Sequence, residues 1–276
     1  MDKLKIFAFV LVAFVGLSRA ANANAAILAP DDFVGITFWV ISMGMLAATA
    51  FFFFERSSVA AAWRTPVTVA GLITGIAFIN YMYMRGVWVQ TADSPTVYRY
   101  IDWFITMPLQ MVEFYLILAV VRKISNRIFW RLLIGSLVMV GGAYAGETGY
   151  IKPILGLAIS IGGYLGEAGY IPSFLAFIIG TTGWLYILFE IFSGEASKLA
   201  ARSRNKSLVN AFGAMRMIVT IGWAIYPLGY VFGYLTESVD TSSLNVIYNL
   251  ADFVNKIAFG LIIWVAAMDN TSLKKR

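Results

Sequence analysis

Hydrophobic residues fall along this chain in long runs separated by short polar loops. Seven runs, roughly 32–54, 66–88, 97–121, 128–149, 172–193, 207–235 and 245–268, each supply the ~20 apolar residues a helix needs to cross a bilayer core. The pattern predicts an all-α integral membrane protein, a bundle of seven transmembrane helices. Basic residues sort by loop. Arg56 and Arg64 follow the first run, and Arg122, Lys123, Arg127 and Arg131 flank the loop after the third. Lys198, Arg202, Arg204 and Lys206 follow the fifth, and LKKR ends the chain. The alternate loops carry Asp93, Glu147, Glu167, Glu237 and Asp240. By the positive-inside rule the N-terminus is periplasmic and the C-terminus cytoplasmic, as in a multi-pass protein of a bacterial inner membrane.

Two segments depart from this regularity. Residues 1–25 begin with Lys3 and Lys5, continue through the apolar run Ile6–Leu17 and end in small residues up to Ala23 and Ala25. A run of about 12 residues is too short to span, so a secretory signal peptide is expected, with residues 26–276 forming the helical domain. The second departure is a repeat: YAGETGYI at 144–151 returns as YLGEAGYI at 164–171, with six of eight positions identical. An eighth span there would put the later basic loops on the wrong side. Residues 150–171 therefore read as a duplicated insertion, either an interfacial excursion or an extended loop without function.

Composition narrows the chemistry. Of 276 residues 60% are hydrophobic and 13% charged, which excludes a soluble domain. Cysteine and histidine are both absent, so disulfides and thiolate chemistry are excluded and no metal site is expected. Proton chemistry is left to carboxylates, lysine and tyrosine. The net charge of +6 lies in the loops of one side, which suits a membrane face rather than a nucleic-acid surface.

Ionisable residues at membrane depth are costly and usually functional. The third run reads RYIDWFITMPLQMVEFYLIL, and its helical spacing puts Arg99, Asp102, Thr106 and Glu113 on one face. Asp102 and Glu113 are then ~16 Å apart along the axis, in different surroundings, as a stepwise proton relay requires. Polar residues bridging helices would explain any one of them but poorly explains the set. In DFVNKIAFGLIIW, residues 252–264, Lys256 follows Asp252 by one helical turn. A desolvated lysine can condense with an aldehyde as a Schiff base, and Asp102 and Asp252 would balance the resulting cation. Trp103, Trp223 and Tyr226 either line a flat apolar ligand or serve as ordinary core.

The motifs FFFFERSSV, GIAFINYMYMRGVW, DSPTVYRYIDWFITMPLQMVEFYLIL, GWAIYPLGY and IYNLADFVNKIAFGLIIW extend this reading. Over the mature chain the sequence resembles the microbial rhodopsins, specifically proteorhodopsins of the blue-absorbing type. The resemblance implies all-trans retinal bound covalently at Lys256 in a pocket with Trp103, Gln110, Trp223 and Tyr226. It implies Asp102 as proton acceptor and main counterion, Asp252 as second counterion, Arg99 shaping that site and Glu113 returning a proton from the cytoplasm. The triplet Asp102, Thr106, Glu113 is similar to that of outward proton pumps, where sodium pumps carry Asn-Asp-Gln. Gln110 stands where green-absorbing members have leucine, which makes it a candidate control of colour.

Three features differ from the family pattern. Asn80 occupies the place of a histidine that pairs with the acceptor; an amide hydrogen-bonds but does not titrate, so Asp102 is expected to titrate without a histidine-coupled step. The insertion 150–171 has no counterpart. Arg216, seven residues before Trp223, either points toward the cytoplasmic half or snorkels to the interface. Phe177 fills a position that is glycine in carotenoid-binding relatives, so no carotenoid antenna is expected. The expected activity is light-driven outward proton pumping by a homo-oligomer, with no enzymatic reaction. A sensory rhodopsin with a slow photocycle and a retinal-free seven-helix transporter or receptor are the rivals; Glu113 argues against the first, and the colour of purified protein decides the second.

Overall fold

The structure, a computed structural model, describes residues 27–148 and 173–273. It contains seven helical spans: Phe33–Glu55, Ala61–Thr91, Thr96–Ala119, Asn126–Thr148, Ser173–Ala201, Lys206–Leu235 and Thr241–Ser272. Each predicted run becomes one span, and the described residues contain no strand. This is a multi-pass membrane protein. The expected signal peptide and the insertion 150–171 lie outside the described residues, apart from the first repeat copy, whose Tyr144–Thr148 closes span four.

Span seven starts four residues earlier than hydropathy indicates. Asp240 accepts the hydroxyl of Ser243 at 2.6 Å and its backbone N–H at 2.9 Å, capping the free amides of the first turn. These bonds hold the Asp240 carboxyl below the usual range. Asp32 does the same for span one, accepting from Gly35 N at 2.8 Å and from the Trp88 indole of span two.

Large apolar side chains cover the outside: Trp130, Ile134, Leu185, Phe189 and Val254 are all exposed. In water such a surface would aggregate; in lipid it is the solvated face. Inside, Phe38, Phe52, Trp63, Phe114 and Phe259 are buried. Spans four and five approach closely through glycine, since a methyl group at Gly142 would overlap the backbone of Gly180.

Span six is not one continuous α-helix. Pro227 has no N–H to donate, and π-helical turns Ile218–Gly222 and Val231–Leu235 flank the short helix Ile225–Tyr230. The side chain of Asn255 in span seven fits against Gly222, donating to its carbonyl at 3.0 Å where any Cβ would collide. The break turns Trp223 into the bundle interior and brings Tyr226 to Asp252.

Candidate functional site

Span seven carries a polar stripe through the apolar bundle. Asn245, Asn249, Asp252 and Lys256 recur at helical spacing, and all four are buried. The Lys256 ammonium donates to Asp252 Oδ2 at 2.8 Å and also pairs with Asp102 Oδ2 of span three. Both carboxylates are closed to solvent. A charge there is tolerable only when paired and hydrogen-bonded, and the surroundings meet that demand. Asp252 accepts from the hydroxyl of Tyr226 at 2.6 Å, the hydroxyl of Tyr81 at 2.9 Å and the Trp103 indole at 3.1 Å. Four different spans thus meet at one carboxylate. The Thr106 hydroxyl donates to the Asp102 carbonyl at 3.0 Å, with Asp102 Oδ2 at 3.5 Å.

Arg99, expected beside the carboxylates, is buried but held one step back from them. Its Nη2 donates to Asn245 Oδ1 at 2.7 Å and its Nη1 to Asn249 Oδ1 at 2.9 Å, with Tyr81 Oη at 3.4 Å. The described ion pairs place no guanidinium on Asp102 or Asp252. Glu113 lies toward the other end of span three, fully buried, with neither carboxyl oxygen hydrogen-bonded. Gln110 is buried between them and donates to the Asn255 carbonyl at 3.4 Å, next to Lys256 in sequence.

An apolar cavity adjoins this cluster, with walls that include Trp103, Met107, Phe177, Trp184, Trp223 and Tyr226. Trp103 and Tyr226 touch both the cavity and Asp252, so a single layer of side chains separates the cavity from the Lys256 ion pair.

Two expectations change, at Asn80 and Glu147, and for Arg216 one of two open alternatives is met. Asn80 does not reach Asp102: its amide donates to the Ile76 carbonyl at 3.0 Å, while Asp102 Oδ1 is buried without a partner. The reason is helical phase. Thr74, Ala77, Tyr81, Met84 and Trp88 form the buried face of span two, and Asn80 sits beside that face. Glu147 is no loop residue. It belongs to the last turn of span four, lines the cavity and accepts from the Tyr248 hydroxyl at 3.4 Å. Arg216 lies over the rings of Phe192 and Phe212 and reaches the Ile191 carbonyl at 3.5 Å, its stem on apolar surface and its head at the end of span five.

Tyr81, Asn245 and Asn249 escaped the sequence reading, although each left a signal. The two asparagines continue the stripe of Asp252 and Lys256 by whole turns, and Tyr81 continues the buried face of span two.

A family model described as bacteriorhodopsin-like protein matches residues 32–270. The chain belongs to this family, the microbial rhodopsins, a membership that implies a retinal chromophore. Within it, the chain is 53% identical over 244 residues to the blue-light absorbing proteorhodopsin of Gamma-proteobacterium Hot 75m4, covering 88% of this chain and 89% of that one. It is 47% identical over 251 residues to the green-light absorbing proteorhodopsin of Gamma-proteobacterium EBAC31A08, covering 91% and 92%. The crystal structure of blue light-absorbing proteorhodopsin from Med12 superposes with a TM-score of 0.69 at 46% identity, over 86% of this chain and 99% of that chain.

The residues present fit a retinal. The cavity wall is largely aromatic and apolar, as a polyene and ring require. The Lys256 ammonium stands in for the protonated nitrogen of the attached chromophore, which carries the same single charge. Asp102 Oδ1 adds a free acceptor beside it.

Proposed function

We propose that this protein is a light-driven outward proton pump of a bacterial inner membrane, working as a homo-oligomer with its N-terminus periplasmic. Retinal, all-trans in the dark and joined to Lys256 as a protonated Schiff base, supplies light absorption and isomerisation. The remaining work falls to the chain. Asp102 takes a proton from the Lys256 nitrogen, with which it is paired. Asp252, tied to Tyr81, Trp103 and Tyr226, stays charged as the fixed counterion. Glu113 returns a proton to the same nitrogen from the cytoplasmic half. An ionised Glu113 would be a buried, unpaired charge, which the neutral acid avoids, so a proton is held ready there.

One observation carries this reading: two buried carboxyl groups on one face of span three, one paired to the lysine and one without a cation or side-chain partner. A sensor needs no internal donor of that kind. Gln110, a polar side chain near the expected polyene, underlies the blue-type absorption proposed here. The test is illumination of a cell suspension expressing the protein with retinal. The medium should acidify, and a protonophore should abolish the change; a suspension whose pH does not respond to light would sink the proposal.

A further inference from the structure

The amides that hold Arg99 are themselves oriented. Asn249 spends its N–H on the hydroxyl of Thr37 in span one at 2.9 Å, and that hydroxyl donates onward to the Val34 carbonyl at 2.7 Å. Asn245 spends its N–H on the Thr241 carbonyl at 2.9 Å. With the donors engaged by spans one and seven, both side-chain oxygens face the guanidinium. Asn245 Oδ1 also accepts from Ser94 at 3.3 Å, linking the arrangement to the loop between spans two and three. All three side chains are almost solvent-free: Arg99 is 1% exposed, Asn245 2% and Asn249 0%.

A buried guanidinium normally seeks a carboxylate, and two lie nearby. Here a neutral pair of amides takes its place, and the hydrogen-bonded link from Arg99 to the carboxylates runs through Tyr81, whose hydroxyl donates to Asp252. We infer that Asn245 and Asn249 are positioning residues, a latch that parks Arg99 short of the counterions and so sets the proton affinity of the acceptor Asp102. The inference rests on the pump reading for the role of Asp102. The parked position has a chemical consequence: an arginine moved onto Asp102 would favour its ionised form and weaken it as an acceptor. The other groups facing this cluster are Lys256 and Asp252 from span seven, Tyr81 from span two and Tyr226 from span six, with Glu147 of span four, Tyr248 of span seven and Tyr234 of span six on the Arg99 side. None of them replaces the amides at the guanidinium.

The experiment is a titration of visible absorbance against pH in purified, retinal-loaded protein at constant salt. Asn249→Leu and Asn245→Leu should each move the counterion transition down by about one pH unit, as expected when a positive charge is freed to approach a carboxylate. Asn249→Asp should move it up, because the new carboxylate both holds Arg99 and offsets its charge. In an Arg99→Gln background the Asn249→Leu shift should vanish, a dependence that mere loss of packing would not show. Should Asn249→Leu fail to form pigment, Asn245→Leu carries the same sign and the same dependence on Arg99. Unmoved or upward transitions in the leucine variants, or shifts that survive Arg99→Gln, would overturn the latch. Failure of the pump reading is separate: light would then drive no pH change in cells bearing the parent protein, whatever the titrations show.

Discussion

The two halves of span three make opposite use of a buried carboxyl group. At the Arg99 side, Asp102 belongs to a continuous network that runs from Lys256 through Asp252, Tyr81 and Arg99 to Asn245 and Ser94. At the other side, Glu113 has no side-chain hydrogen-bonding partner, and its neighbours in the helix, Met111, Phe114 and Ile117, are buried apolar residues. A proton arriving at the first site finds a chain of donors and acceptors leading away. A proton at the second has no hydrogen-bonded route to solvent. The difference teaches how a nearly symmetric membrane helix acquires a direction, through hydrogen-bond density rather than through the residue type, since both groups are carboxyls.

The comparison is broken most completely at the shared centre. Lys256→Ala removes the attachment point, and the protein purified with retinal should be colourless; a retained visible band would refute the site. Next in size is Asp102→Asn, which removes the acceptor of the networked half. Light-driven acidification by cells should fall by on the order of 10²-fold or more, and the band should shift to the red as the cation loses its nearest counterion. Glu113→Gln strikes the dry half instead. Proton uptake, followed with a pH-indicator dye after a flash, should slow by on the order of 10²-fold and recover with azide, while release keeps its rate. If uptake is unchanged at neutral pH, Glu113 is not the donor and the two halves do not divide the work.

Smaller effects sharpen the boundary of the network. Tyr81→Phe deletes one hydrogen bond to ionised Asp252, so the absorbance transition should move to higher pH by on the order of one unit, whereas Asn80→Ala should leave the curve superimposable on the parent. An effect of Asn80 equal to that of Tyr81 would mean that the buried face of span two is wrongly drawn. Gln110→Leu should produce the smallest change, a red shift of the band with the pH transition unaltered, because it removes a dipole near the chromophore but no proton-binding group. A blue or absent shift would count against Gln110 as the colour control.

How far the sequence carried these conclusions varies from residue to residue. The spans were legible because crossing a bilayer imposes length and hydrophobicity on consecutive residues. Glu147 was misread for the same reason: hydropathy blurs the last turn of a helix, and an acidic residue there resembles the start of a loop. The π turn of span six at Ile218–Gly222 left only weak traces, Pro227 and a glycine, and its contact with Asn255 comes from another helix. Asn80 drew attention by its family position, although the phase of span two favours Tyr81.

The sequence by itself determined seven membrane helices, the pairing of Asp252 with Lys256 one turn apart, and the common face of Asp102 and Glu113. These follow from periodicity within a single helix, which local spacing fixes. Only the tertiary structure decided that Asp252 receives donors from spans two, three and six, that Glu113 receives none from a side chain, and that Arg99 rests on amides from span seven rather than on a carboxylate. Those outcomes depend on how each helix is rotated against its neighbours, and packing across the whole bundle sets that rotation.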